Sequence, residues 1–154
     1  MLRRSHILAS LLVALLVSGC DGVTSESTFD VSAYVGTYTG TRAVIDAGSR
    51  DTENVTFAIA TNDASRTVTL TLTPESGPPE VLTGAYNDGG IDISTTQSGI
   101  TIGFSVLPDE SIVGTFSAFG QTGTISGTLT PTRFDLTFTP TDPDGARTEI
   151  RTSR

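Results

Sequence analysis

Lysine and tryptophan are absent from this chain, and cysteine, histidine and methionine occur once each. The histidine is His6 and the cysteine is Cys20, so both fall in the first twenty residues. Beyond Cys20 there is no imidazole, thiol or amine side chain. These are the usual general bases and nucleophiles near neutral pH, and His and Cys are the usual zinc ligands. Catalysis would have to rest on carboxylates, hydroxyls or tyrosine, and neither a Gly-rich phosphate loop nor a G-x-S-x-G motif occurs. The expectation is a protein that is not an enzyme, with no catalytic residues, no metal and no cofactor. Positive charge is also scarce, with nine basic residues against seventeen acids and a net charge of −8. All nine are arginine, and those beyond Arg4 are scattered rather than clustered. Nucleic acid is therefore excluded as a partner, because phosphate binding needs grouped Lys or Arg.

Long apolar runs are equally rare, and the one that exists is informative. Ile7 to Val17 is an eleven-residue apolar stretch preceded by Arg3 and Arg4. As a helix it would rise only ~16 Å, about half the hydrocarbon thickness of a bilayer. A basic start, a short apolar middle and small residues at the end are the parts of a secretory signal peptide. No A-x-A-like cleavage site follows. Val17-Ser18-Gly19-Cys20 instead resembles the bacterial lipobox, an aliphatic residue, two small ones and cysteine. The resemblance implies a bacterial lipoprotein with lipid on Cys20, cleavage before it, and a place in the cell envelope, anchored to a membrane outside the cytoplasm on its periplasmic or cell-surface side. Two or more acyl chains on one protein give lasting attachment. The alternative is a plain secreted protein with one free cysteine. Asp21 resembles an inner-membrane retention signal, and inner and outer membrane both stay open. The organisation is then a signal peptide over 1–19, a lipidated cysteine and flexible tether over 20–28, and one domain over 29–154. The tether is small and polar, and the rest is one domain by length.

That domain reads as β throughout. Thr67-Val68-Thr69-Leu70-Thr71-Leu72-Thr73 alternates without a fault, which is the period of a strand with one buried face. Val55, Phe57 and Ile59 alternate with Thr56 and Ala58, and Phe134, Leu136 and Phe138 with Asp135 and Thr137. Breakers such as Asn87-Asp88-Gly89-Gly90 and Pro108-Asp109-Glu110 separate the runs. Ten strands are expected, at 34–45, 53–61, 66–73, 80–86, 90–95, 100–107, 111–118, 122–130, 133–139 and 147–152. Short links make them an antiparallel meander of about eight to ten strands. Closing it into a small barrel removes exposed edges; a β-sandwich is the alternative. Glycines on the apolar face at Gly36, Gly84, Gly114, Gly123 and Gly127 favour the barrel, since an inward glycine permits a sharp bend or close approach of another backbone.

Phe29-Asp30-Val31-Ser32-Ala33-Tyr34-Val35-Gly36-Thr37-Tyr38 resembles the opening motif of lipocalins, in which an F-D-like entry and a helical turn lead to G-x-W. Here Gly36 matches the glycine, and Tyr38 stands where the family has tryptophan. The resemblance implies a calycin-like barrel that binds a small hydrophobic molecule, with Tyr38, Phe57, Tyr86, Phe104, Phe116 and Phe138 as inward candidates for the ligand-binding surface. The same aromatics could simply be core. The expected function is thus a noncatalytic, membrane-anchored barrel with room for a small hydrophobic ligand. The alternative is a structural or protein-interaction lipoprotein of the envelope with no ligand. Asp46 to Thr52 is read as a loop that could cover the barrel mouth. Asp142-Pro143-Asp144-Gly145 has the wrong spacing for an EF-hand, whose glycine falls sixth and glutamate twelfth, and reads as a polar turn.

Overall fold

A computed structural model describes residues 28–154. The expected signal peptide, Cys20 and the tether up to residue 27 lie outside the described residues. Ten strands follow one another: β1 (Gly36–Asp46), β2 (Ser49–Asn62), β3 (Thr67–Pro74), β4 (Glu80–Asn87), β5 (Gly90–Gln97), β6 (Ile100–Val106), β7 (Ser111–Ala118), β8 (Gln121–Thr130), β9 (Arg133–Pro140) and β10 (Arg147–Ser153). Each pairs antiparallel with its sequence neighbours, and β10 closes on β1 from Thr39–Ser153 to Ile45–Arg147. The meander is therefore a closed barrel of the calycin-like kind rather than a sandwich. The only helical piece among the described residues is a single 3-10 turn at Val31–Tyr34.

The alternation seen in the sequence is the alternation of the wall. In β3, Val68, Leu70 and Leu72 are buried, while the threonines between them are not. Tyr38, Phe57, Ile59, Ile91, Ile93, Phe104, Val106, Ile112, Ile125, Leu129 and Phe134 join them in one core. Burying each such side chain contributes ~1.5–3 kcal/mol. Among the described residues every strand finds both partners and every core residue lies between Phe29 and Ile150, so residues 28–154 hold a closed hydrogen-bonded ring and a core of their own. They are expected to fold on their own as one β-domain. At Gly84, Gly114 and Gly127 a side chain would run into a backbone carbonyl of the adjacent strand, on Asp92, Gly103 and Asp135 respectively. Strand coiling brings the backbones that close.

One connection differs from the expectation. The seven-residue loop Asp46–Thr52 contracts to a two-residue turn, Ala47-Gly48, with φ of 44° and 83°. Both values suit the mirror-image turns that match strand twist. Polar Ser49 to Thr52 extend β2 against Ala43–Asp46, because ladder pairing uses the backbone and does not require apolar side chains. No lid is available from this segment.

The two ends of the barrel are unlike. At one, Asp30 caps the 3-10 turn by accepting from the Ser32 amide at 3.0 Å, and the Phe29 and Tyr34 rings stack 5.1 Å apart. Tyr38, wholly buried, donates its hydroxyl to the Tyr34 carbonyl at 2.8 Å. The Arg154 guanidinium lies 4.7 Å from the centre of the Tyr38 ring, a cation–π contact that completes the stopper. The chain enters here, where Phe29 N donates to Asp88 O, and it also ends here. The opposite end is open.

Candidate ligand-binding site

The open half of the barrel encloses a cavity of about 390 Å³, within the range of small-molecule sites. Its floor is the stacked pair Phe57–Phe134, with ring centroids 3.9 Å apart. Leu70, Leu72, Leu82, Ile102, Phe104, Leu136 and Ile150 form the wall, and Phe116 meets Phe138 edge-on at 5.7 Å. These residues face inward because each occupies the same parity of its strand as the core residues below it. Around the rim stand Arg42, Glu80, Ala118, Phe119, Ala146 and Thr148.

Of the six aromatic candidates, Phe57, Phe104, Phe116 and Phe138 line this cavity. Tyr38 and Tyr86 do not. Both belong to the stoppered half, where Tyr38 bonds to Tyr34 and Tyr86 donates to Asp63 Oδ1 at 2.6 Å. Parity places a side chain inside; its position along the strand decides whether it meets the cavity or the packed base.

The sequence reading missed the charged part of the site. Arg42 in β1 lies opposite Glu53 in β2, and both point inward near the rim. Arg42 Nε donates to Glu53 Oε1 at 2.8 Å, Nη2 lies 2.6 Å from the same oxygen, and Nη1 lies 2.7 Å from Glu80 Oε1. Burial works against the Arg42 charge, but the hydrogen bonds to Glu80 and Glu53 hold its pKa above the usual value. The bond from Arg42 holds the Glu53 carboxyl below its own. The signal available in the sequence was the even spacing of Arg42 from Tyr38. The partner Glu80 becomes a neighbour only through barrel curvature.

The wall is not continuous. β4 and β5 pair only from Gly84–Ile93 to Asn87–Gly90. Toward the mouth they part, leaving Glu80–Thr83 bonded to β3 alone and Ser94–Gln97 bonded to β6 alone. A groove of about 460 Å³ occupies the opening and shares Glu80, Leu82, Ile100 and Ile102 with the cavity. Beside the mouth, Phe119 is 87% exposed at the tip of the β7–β8 hairpin, with φ of 52°. The Asp142–Gly145 segment is a turn in which Asp142 accepts from the amides of Asp144 and Gly145.

A second charged group lies on the outer surface. Glu149, only 4% exposed, is contacted by Arg50 and Arg151 at 3.3 and 3.2 Å and more closely by Arg147. Burial alone would raise its pKa, but the charges of Arg147, Arg151 and Arg50 outweigh it and the folded value is lowered. A lowered carboxylate stabilises the fold above its ordinary pKa and loses that contribution as acid protonates it through the folded value. Glu149→Gln is thus expected to lower the melting temperature at about pH 7, with the deficit shrinking below about pH 4. Thermal melts across that range check this, and a deficit independent of pH would refute it.

No protein-family model matches the chain, and no curated protein matches it. In structure the chain is similar to a protein of unknown function from the DUF3598 family of Nostoc punctiforme, with a TM-score of 0.61 at 13% sequence identity. The match covers 82% of this chain and 49% of that one, so the chain spans about half the length of this relative. At that identity the likeness concerns the barrel fold alone.

Proposed function

We propose that this is a membrane-anchored envelope lipoprotein whose noncatalytic barrel takes up a small hydrophobic ligand. The observation that carries the reading is the 390 Å³ cavity, apolar on its walls and open at one end and along the β4–β5 seam. Removing apolar surface from water contributes about 25 cal/mol per Å², so a slender apolar molecule would gain from entering a site already formed. A structural lipoprotein with no ligand has no need of an unfilled half-barrel, which favours binding over that alternative. The anchor rests on the lipobox-like Val17-Ser18-Gly19-Cys20.

The test uses the neutral fluorophore phenylnaphthylamine with the barrel, residues 28–154. Its emission should rise and saturate on binding. Ala118→Trp, which puts a large side chain on the rim wall, should abolish the rise while leaving the melting temperature within a few degrees. Emission unchanged by the wild-type barrel would defeat the reading. For the anchor, full-length Cys20→Ser should leave the membrane fraction; if it stays there with unaltered processing, lipid is not what holds it.

A further inference from the structure

Among the described residues the cavity wall carries charge only at Arg42 and Glu80, and their arrangement bears on what the ligand's polar end can be. All three nitrogens of the Arg42 side chain already lie on carboxylate oxygens, two against Glu53 and one against Glu80. The three groups together carry a net charge of −1. Glu80 is the exposed member, with 57% of its side chain accessible, against 22% for Arg42 and 25% for Glu53. A molecule lying in the cavity with its polar end at the rim therefore meets a carboxylate first. A second carboxylate at that point would have to displace Glu80 from Arg42 or sit beside it uncompensated.

The surroundings push the same way. The strand ends and turns at the mouth carry Asp46, Asp51, Glu75, Asp142 and Asp144 in addition to Glu53 and Glu80. Among the described residues the arginines at that end besides Arg42 are Arg50 and Arg147, and both turn to the outer surface to hold Glu149. A cleft lined by one sign of charge with low-dielectric walls concentrates the opposite sign. Apolar walls below and a negative rim above describe a site for a molecule with an apolar body and a cationic head.

Resting on the cavity reading above, we propose that the barrel selects amphiphiles whose head is a protonated amine, lodged against Glu80, over those with a neutral head, and discriminates against the matching carboxylate. The chemical class is an alkyl- or arylalkyl-ammonium compound, and the ranking is cation, then alcohol, then carboxylate.

Decylamine, decanol and decanoate share one apolar body and separate the head from the tail. Each is titrated at neutral pH against phenylnaphthylamine bound to residues 28–154. Decylamine should displace the fluorophore at a concentration on the order of tenfold below that of decanoate, the scale of one partly screened charge contact. Decanol should fall between them. In Glu80→Gln, an exposed and structurally mild change, the gap should narrow several-fold. Decanoate binding as well as decylamine would overturn the head-group proposal while leaving the cavity reading intact. A gap of undiminished size in Glu80→Gln would assign the preference to the net charge of the protein and overturn the placement at the rim. If the fluorophore is never bound, the cavity reading falls and this proposal falls with it.

Discussion

Gly84→Val should cost the barrel ~1–3 kcal/mol, the usual effect of overpacking a filled interior. A small domain has about 5–15 kcal/mol in total, so the melting temperature should fall by several degrees. The reason lies in what surrounds the position. A side chain at Gly84 would strike the backbone carbonyl of Asp92 and come within 2.6 Å of Ile93 Cδ1. Ile93 is itself core, and the carbonyl belongs to the adjoining strand, so neither can move cheaply. Gly84–Ile93 is also the last rung of the β4–β5 ladder before the seam opens. Forcing the strands apart there would lengthen the seam at the expense of a pairing that is already short. Gly89 supplies the control. A side chain there meets only Asn87 Oδ1, at 3.0 Å, so Gly89→Ala should change stability far less. Urea or thermal unfolding of the two variants decides the matter; a Gly84→Val barrel that melts with wild type would show that β4 and β5 are farther apart than described.

Phe134→Ala should be more damaging still, ~3–5 kcal/mol, the range for deleting a buried phenyl ring. Phe134 is 1% exposed and lies parallel to Phe57 at 3.9 Å, so its removal withdraws both the transfer energy of the ring and the stacking partner. The lost volume sits between the packed base and the cavity, which makes the variant diagnostic in a second way. A void opening there is continuous with the cavity, and a bulkier apolar fluorophore than the wild type accepts should then bind. Melts run with and without such a fluorophore measure both effects. Unaltered stability would show that Phe57 and Phe134 do not form the floor.

How far the sequence could reach is set by periodicity. Thr67 to Thr73 alternates perfectly, and buried Val68, Leu70 and Leu72 are legible from it, whereas buried Pro74, which extends the strand, is not. Strand order followed from short turns, and closure followed from the need to cover edges. Position along the barrel axis was not legible, because Tyr38 and Phe57 carry the same alternation although one plugs the base and the other floors the cavity. The Arg42–Glu53–Glu80 group was hidden for a different reason. Arg42 and Glu80 are brought together by curvature across β1–β4, and no local pattern records a contact made by the closing of a ring. The contact of Arg154 with the Tyr38 ring is hidden in the same way, since the two lie 116 residues apart in the sequence. The polarity of Asp46–Thr52 reads as a loop in the sequence, whereas the backbone of that segment continues the ladder on both sides of Ala47-Gly48.

Both ends of the described chain leave from the stoppered base, and this gives a lipid on Cys20 a directional consequence. Asp21 to Thr28 can span at most ~28 Å even when fully extended, about the height of the barrel itself. An anchor attached there would hold the base toward the bilayer and the acidic mouth toward the water beyond. A ligand held in the cavity would then be exchanged with molecules or carriers arriving through the aqueous compartment, not drawn from that bilayer. The geometry loses its premise if Cys20→Ser protein stays membrane-bound; if it is released, the same variant becomes a mobile form whose traffic is no longer tied to one surface.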